Sequence, residues 1–320
     1  DKATVNFNGQ TTLGELANTS SNSTTVYFNG ETSITTATIS GANYTANIGA
    51  TGQATITTAN LSGGRLNVNG TADITTLAIS TGTAAVGGTG QLDITTANIS
   101  GGTLNLSTAQ TTIGALNLTG GTLNLASAGL SVTGDLVLNN AAALHFQQAA
   151  GAATTYTLAD VKMNASPGAS AGSITIDSGV TVNAASLTNG WGLGSLTVNG
   201  ALNVSGQLSY ETGNTQKSIS GQGNITVGSL VFGNQGTTDI SVAGLTVNGV
   251  MTLKADWGST TKVSGGELTV KGALNTQAGA WNSHNFNIIG GTVNVQGGGA
   301  LAHGTLSLAA GVLAQQGGET

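Results

Sequence analysis

The chain restates itself at a fixed distance. ITTANISGGTLNL, Ile94 to Leu106, returns nineteen residues later as IGALNLTGGTLNL, Ile113 to Leu125. Aligned on the first isoleucine, the units start at Ile34, Ile56, Ile74, Ile94 and Ile113, with spacings of 22, 18, 20 and 19 residues. A period near twenty is the mark of a solenoid, in which each unit is too small to bury its own apolar face and does so against its neighbours.

The positions inside a unit say what kind of solenoid. Three and five residues after the isoleucine come Ala37 and Ile39, Ala59 and Leu61, Leu77 and Ile79, Ala97 and Ile99, Leu116 and Leu118. Beyond a glycine step stands a second apolar pair two apart: Leu66 and Val68, Leu104 and Leu106, Leu123 and Leu125. Spacing of two is strand spacing, so the Thr, Asn and Ser between them face solvent. The Gly-Gly, Ser-Gly and Asn-Gly pairs supply the positive φ of sharp corners. Two or three short strands per unit, joined by corners, close a coil, and successive coils pair in parallel about 4.8 Å apart. The second half keeps the grammar in Leu196-Thr-Val198, Leu245-Thr-Val247, Leu268-Thr-Val270, Phe286-Asn-Ile288 and Val293-Asn-Val295.

The expectation is an all-β, right-handed parallel β-helix of roughly 15 coils of about 20 residues, a rod of about 70 Å, the handedness following from crossover chirality. Composition is uniform along the 320 residues, so a single domain over 1–320 is expected. The stretch 147–172, with weak alternation and the one proline, Pro167, reads as a protruding loop or distorted coil. An up-and-down membrane barrel also alternates, but it needs longer strands and aromatic girdles, and the aromatics here are few and scattered. No apolar run approaches the 18 residues of a spanning helix.

Composition narrows function. Lys, Arg, Asp and Glu make 6% of the chain, against about 25% in ordinary globular domains. A net charge of −6 with seven basic residues argues against nucleic acid. The absence of cysteine excludes a disulfide scaffold. Asp1 opens the sequence without a basic stretch leading into an apolar one, so any signal peptide is expected outside it.

Candidate chemistry is sparse. Asp73 and Asp93 each precede a repeat isoleucine, and on adjacent coils their side chains should stack about 5 Å apart on the outside. Such a pair suits a glycosidase or a calcium site, yet Thr55 and Thr112 flank it and no base is in register, so two solvated aspartates are the simpler reading. His145, His284 and His303 share no ligand spacing. There is no Gly-x-Ser-x-Gly elbow. Neither catalysis, nor metal, nor a cofactor is expected. Trp191, Trp257 and Trp281 lie beside Gly or Asn, which places them at corners, where tryptophan can stack on sugars or pack into a partner. Lys254, Lys262 and Lys271, with Lys217 before them, could fold into a modest basic patch for an acidic glycan. Trp257, Trp281 and these three lysines are the candidate ligand site. Asn-x-Ser/Thr triplets are numerous, as chance provides in so Asn- and Thr-rich a chain.

The Gly-Gly-Thr-Leu-Asn-Leu units at Gly101–Leu106 and Gly120–Leu125, their variants at Gly63–Val68 and Gly290–Val295, and the Val-Asn-Gly repeats at Asn69, Asn199 and Asn248 resemble the passenger domains of bacterial autotransporter adhesins of the type V secretion pathway. The resemblance covers most of the chain and is largely compositional; filamentous haemagglutinin-like exoproteins and some phage tail proteins share it. It implies display at the bacterial cell surface, adhesion, self-association and biofilm growth. It also implies membrane attachment only through a translocator barrel that this sequence does not contain. The expected mechanism is multivalent contact through rows of polar groups, with Thr95, Thr96, Asn98 and Asn117 as face residues, and with a second copy, a host glycan or a matrix protein as partner. A β-helical polysaccharide lyase or hydrolase and a non-binding stalk are the alternatives.

Overall fold

The computed structural model describes residues 2–18, 22–87, 90–107, 110–127, 130–139, 141–149, 152–163, 172–189, 193–211, 217–233, 236–255, 260–278, 285–297, 306–308 and 311–315. Among these there is no helix, and the strand pairs with a defined register run parallel from one coil to the next. The fold is a parallel β-solenoid of about 12 turns. That is fewer than the expected fifteen because the coils lengthen in the second half. In-register positions there recur after 20 to 25 residues, as in Ala201↔Asn224, Gly244↔Glu267 and Glu267↔Thr292. The chain divides into two compact units, residues 1–137 with 142–157, and residues 138–141 with 158–320.

In the first unit the strands Glu31–Ile39, Gln53–Val68, Thr71–Val86, Gln91–Ile99 and Gln110–Leu118 lie side by side. Their repeat isoleucines align as Ile34↔Ile56↔Ile74↔Ile94↔Ile113. Each strand buries residues in a 2-3-2 rhythm, such as Leu92, Ile94, Ala97 and Ile99. The step of three is a bend. Two consecutive outward residues, Thr95 and Thr96 in this coil, let the strand turn from one sheet to the next while both apolar pairs stay inside. A tighter corner follows at Gly102 and Gly121, where φ is +68° and +71°. A Cβ on Gly121 would stand 2.6 Å from the Gly102 carbonyl oxygen, so both the handedness of the turn and the close coil spacing require glycine. The second apolar pair then fills the next sheet, Leu66↔Ala84↔Leu104↔Leu123.

The second unit repeats this with three columns. They run Val182↔Leu202↔Ile225↔Leu245↔Leu268↔Val293, Leu196↔Ile219↔Ile240↔Val263↔Ile288, and Leu208↔Leu230↔Met251↔Leu274. Every one of these side chains is buried. Aromatics join the interior as well: Tyr210 meets the Phe232 ring edge-on at 6.1 Å, and in the first unit Phe146 and Tyr156 pack at 5.2 Å.

The expected break at 147–172 is narrower than the sequence suggested. Thr154–Met163 is a regular strand that buries Tyr156, Leu158, Val161 and Met163 in the same 2-3-2 rhythm, and the division between the units falls within it. Residues 164–171, Pro167 among them, lie outside the described residues.

Candidate functional site

The bend in the first unit creates a concavity on the outside of the solenoid. Where the strands turn after the repeat isoleucine, the residues just before and just after it form two outward rows. Thr55, Asp73, Asp93 and Thr112 make one, and Thr75, Thr95, Gly114 and Thr133 the other. Between them runs a groove of about 540 Å³, floored by Ile74 and Ile94. Parity places the row members outside: any residue adjacent to an inward isoleucine on a strand must face solvent. Because the coils are in register, each row repeats its chemistry at the coil spacing.

Asp73 and Asp93 occupy the positions expected of them. They are directly opposite each other on adjacent strands, and both are exposed. Like charges so placed repel, a cost that a ligand donating to both would relieve. No cationic side chain lines the groove, and no group of three His, Cys, Asp or Glu side chains capable of holding a metal occurs among the described residues. The groove can therefore accept hydrogen bonds through two carboxylates and exchange them through the threonine hydroxyls, above the backbone of Ile74 and Ile94, whose side chains point inward.

The predicted face residues divide between two kinds of surface. Thr95 lines the groove, and Thr96 continues a row of threonines with Thr36, Thr58 and Thr76 that ends at Ala115. Asn98 and Asn117 are in register and bonded to each other, Asn117 Nδ2 donating to Asn98 Oδ1 at 2.9 Å. The same inter-coil amide bond recurs from Asn29 to Asn8 (2.9 Å), Asn67 to Asn47 (2.8 Å), Asn124 to Asn105 (2.7 Å) and, in the second unit, Asn203 to Asn183 (2.9 Å). In each the later coil donates to the earlier one. These amides already spend part of their capacity on holding coils together, so fewer of their donors and acceptors remain for a partner than a row of free asparagines would offer. Ala78 and Ala85 interrupt the columns, which makes the asparagine ladder a series of pairs.

The lysines do not converge. Lys254, Lys262 and Lys271 fall on or just after three successive strands of one coil, Met251–Ala255, Thr260–Val263 and Glu267–Val270, which belong to three different columns. Lys262 stands between Asp239 and Asn287 on its own face, and Lys271 Nζ donates to Asn248 Oδ1 at 3.0 Å. Lys217 is inside: it is 1% exposed, its amine has no hydrogen-bond partner among the described residues, and burial lowers its pKa to about 8. Lys217 precedes Ile219 by two, which puts it on the inward parity, a signal present in the sequence. Trp191, Trp257, Trp281, His284 and His303 lie outside the described residues. His145 sits in register with Asn124, its Nδ1 3.3 Å from Gln147 Nε2. Sequence reasoning placed Thr95 on an outward face but missed that its row, with Thr75 beside it, borders a groove, although the Ile-Thr-Thr triplets at Ile56, Ile74 and Ile94 announce the row.

No protein-family model, curated protein or solved structure matches the chain.

Proposed function

We propose that the chain is a surface-displayed adhesin passenger of the autotransporter type, without enzymatic activity, that holds a second copy of itself, a host glycan or a matrix protein through its outward rows. The observation that carries the reading is the groove of the first unit. Two in-register polar rows, repeated coil after coil, present hydroxyl and carboxylate groups at a constant spacing to anything that lies along them. Each contact is weak, and a partner that meets several at once gains by their sum. With 6% charged residues, two such surfaces approach without strong repulsion.

The test is display of the chain on a non-aggregating bacterium, scored for settling and for binding to a panel of glycans and matrix proteins. Thr75→Lys/Thr95→Lys, which fills the groove with long side chains while leaving the inward columns intact, should abolish the signal. A chain that neither settles cells nor binds any panel member leaves the non-binding stalk as the account.

The stacked aspartates favour one second reading, a polysaccharide-cleaving enzyme with Asp73 and Asp93 as its carboxylate pair. It predicts reducing-end release from a bound glycan that is lost in Asp73→Asn and in Asp93→Asn. Retained binding with no turnover by the unsubstituted chain decides for the adhesin.

A further inference from the structure

Lys217 opens the strand Lys217–Gly233 of the second unit and points into the solenoid. Its neighbours along the inward column are Thr238, in register with it, then Thr261, and then Phe286. These are 6%, 0% and 2% exposed, so Lys217 stands at the start of a fully buried column whose next member is the hydroxyl-bearing Thr238. An amine in such a place costs far more when charged than when neutral, unless a partner is supplied.

Among the described residues, the titratable groups on the surrounding strands do not supply one. On Ala201–Glu211, Tyr210 faces inward, but its hydroxyl donates to the Ser218 carbonyl at 3.0 Å, and burial drives its pKa far upward, so it carries no negative charge. On Thr237–Val247 the one ionisable residue is Asp239, which faces out and accepts from the Ser264 hydroxyl. On Thr260–Val263, Lys262 faces out, as does Lys254 on Met251–Ala255. Leu193–Val198 has no ionisable residue.

We propose that Lys217 is a pH-sensitive latch: a charged amine favours opening of the first residues of its strand, 217–221, from the solenoid wall to let the amine reach water, and loss of the proton favours their closure. The opening carries Ile219 with it and ends at Gly221, where φ is +124° and the register with the next strand shifts, so Ile225, Val227 and Leu230 beyond that corner stay in their columns.

The sign follows from the two proton affinities. In the closed state burial brings the amine down from 10.5 to about 8, whereas in the open state it returns to the ordinary value. The open form binds more protons between these values, so closure strengthens as pH rises through that window and is flat below about pH 7. With 10.5 and about 8 as the two limits, the opening constant falls about tenfold between pH 7 and pH 9.

Hydrogen exchange of the full chain between pH 7 and pH 9, corrected for the intrinsic pH dependence of amide exchange, reads this directly. Peptides covering 217–221 should gain about tenfold in protection across the interval, while 224–227 of the same strand should not change. Lys217→Met should be protected at both pH values and insensitive to the change. Lys217→Arg, which stays charged throughout, should show no gain in protection between pH 7 and pH 9. An unchanged pH response in Lys217→Met, or equal protection of 217–221 in the parent chain at both pH values, overturns the latch. Should Lys217→Met fail to fold, the parent and the Arg variant still decide between the outcomes.

Discussion

Replacing Ile94 with alanine removes three carbons from a side chain that is 2% exposed and lies between Ile74 and Ile113 in an unbroken column. At about 0.8 kcal/mol per buried methylene the transfer term alone is roughly 2.4 kcal/mol. The coils on either side are tied to this one by backbone ladders and cannot collapse into the space, so the cavity left behind raises the cost to about 3–4 kcal/mol. Thr95, the next residue, points into the groove, and Thr95→Ala should change stability by no more than about 0.5 kcal/mol. Urea unfolding followed by far-UV circular dichroism measures both. Because coils contact only their neighbours, unfolding of a solenoid need not be one cooperative step. Hydrogen exchange in Thr71–Val86, Gln91–Ile99 and Gln110–Leu118 therefore accompanies it, with the loss of protection centred on those three strands. A tolerated Ile94→Ala beside a damaging Thr95→Ala would reverse the parity and refute the placement of the groove.

Other substitutions probe the corners and the interior. Gly121→Ala puts a Cβ 2.6 Å from backbone atoms of the preceding coil at a φ of +71°, and should cost at least about 1–2 kcal/mol from the left-handed conformation alone. Gly9→Ala, with nothing within 4 Å of the added carbon, should be neutral in the same denaturation measurement. The Tyr156 hydroxyl lies 2.8 Å from the Leu125 carbonyl and 2.9 Å from that of Gln147, so Tyr156→Phe should lose about 1–2 kcal/mol, seen as a lower urea midpoint at constant slope. Asn117→Ala removes the donor to Asn98 on an exposed face, and should cost about 0.5–1 kcal/mol in the same denaturation measurement.

The apolar spacing of two, three and two residues made the fold readable, because a parallel solenoid has one solution for burying Ile94, Ala97 and Ile99 together and repeats it. The same rhythm runs through Tyr156, Leu158, Val161 and Met163, but the alanines and threonines before it hide the alternation, so that a strand reads as a loop. Corner geometry was legible at Gly102 and Gly121, since only their chemistry fits the turn. The functional surface was less so. A row such as Thr75 and Thr95 is a property of several coils at once, and whether it forms a ridge or a groove depends on the angle of the bend, which no single repeat encodes. Nor does nearness in sequence predict nearness in space on a coil: Lys254, Lys262 and Lys271 are close along the chain and lie on three faces. The amide pairs such as Asn105 and Asn124 look from sequence like free polar groups, and only the stacking shows that they bind each other.

The account rests on coils stacked in register, since the groove and its rows exist only if Asn98 faces Asn117 and Asp73 faces Asp93. The chain has no cysteine, so introduced thiols report without interference. In Asn98→Cys/Asn117→Cys the two Cα atoms are in-register neighbours about 4.8 Å apart, inside the range a disulfide spans. In Asn98→Cys/Ala115→Cys the second position is opposite Thr96 and roughly 8 Å away, beyond that range. Under dilute mild oxidation the first variant should form an intramolecular disulfide, read by intact mass and by gel mobility, and the second should not. Cross-linking of the second pair in preference to the first, or of neither, would contradict the stacking from which the groove and its proposed role are built.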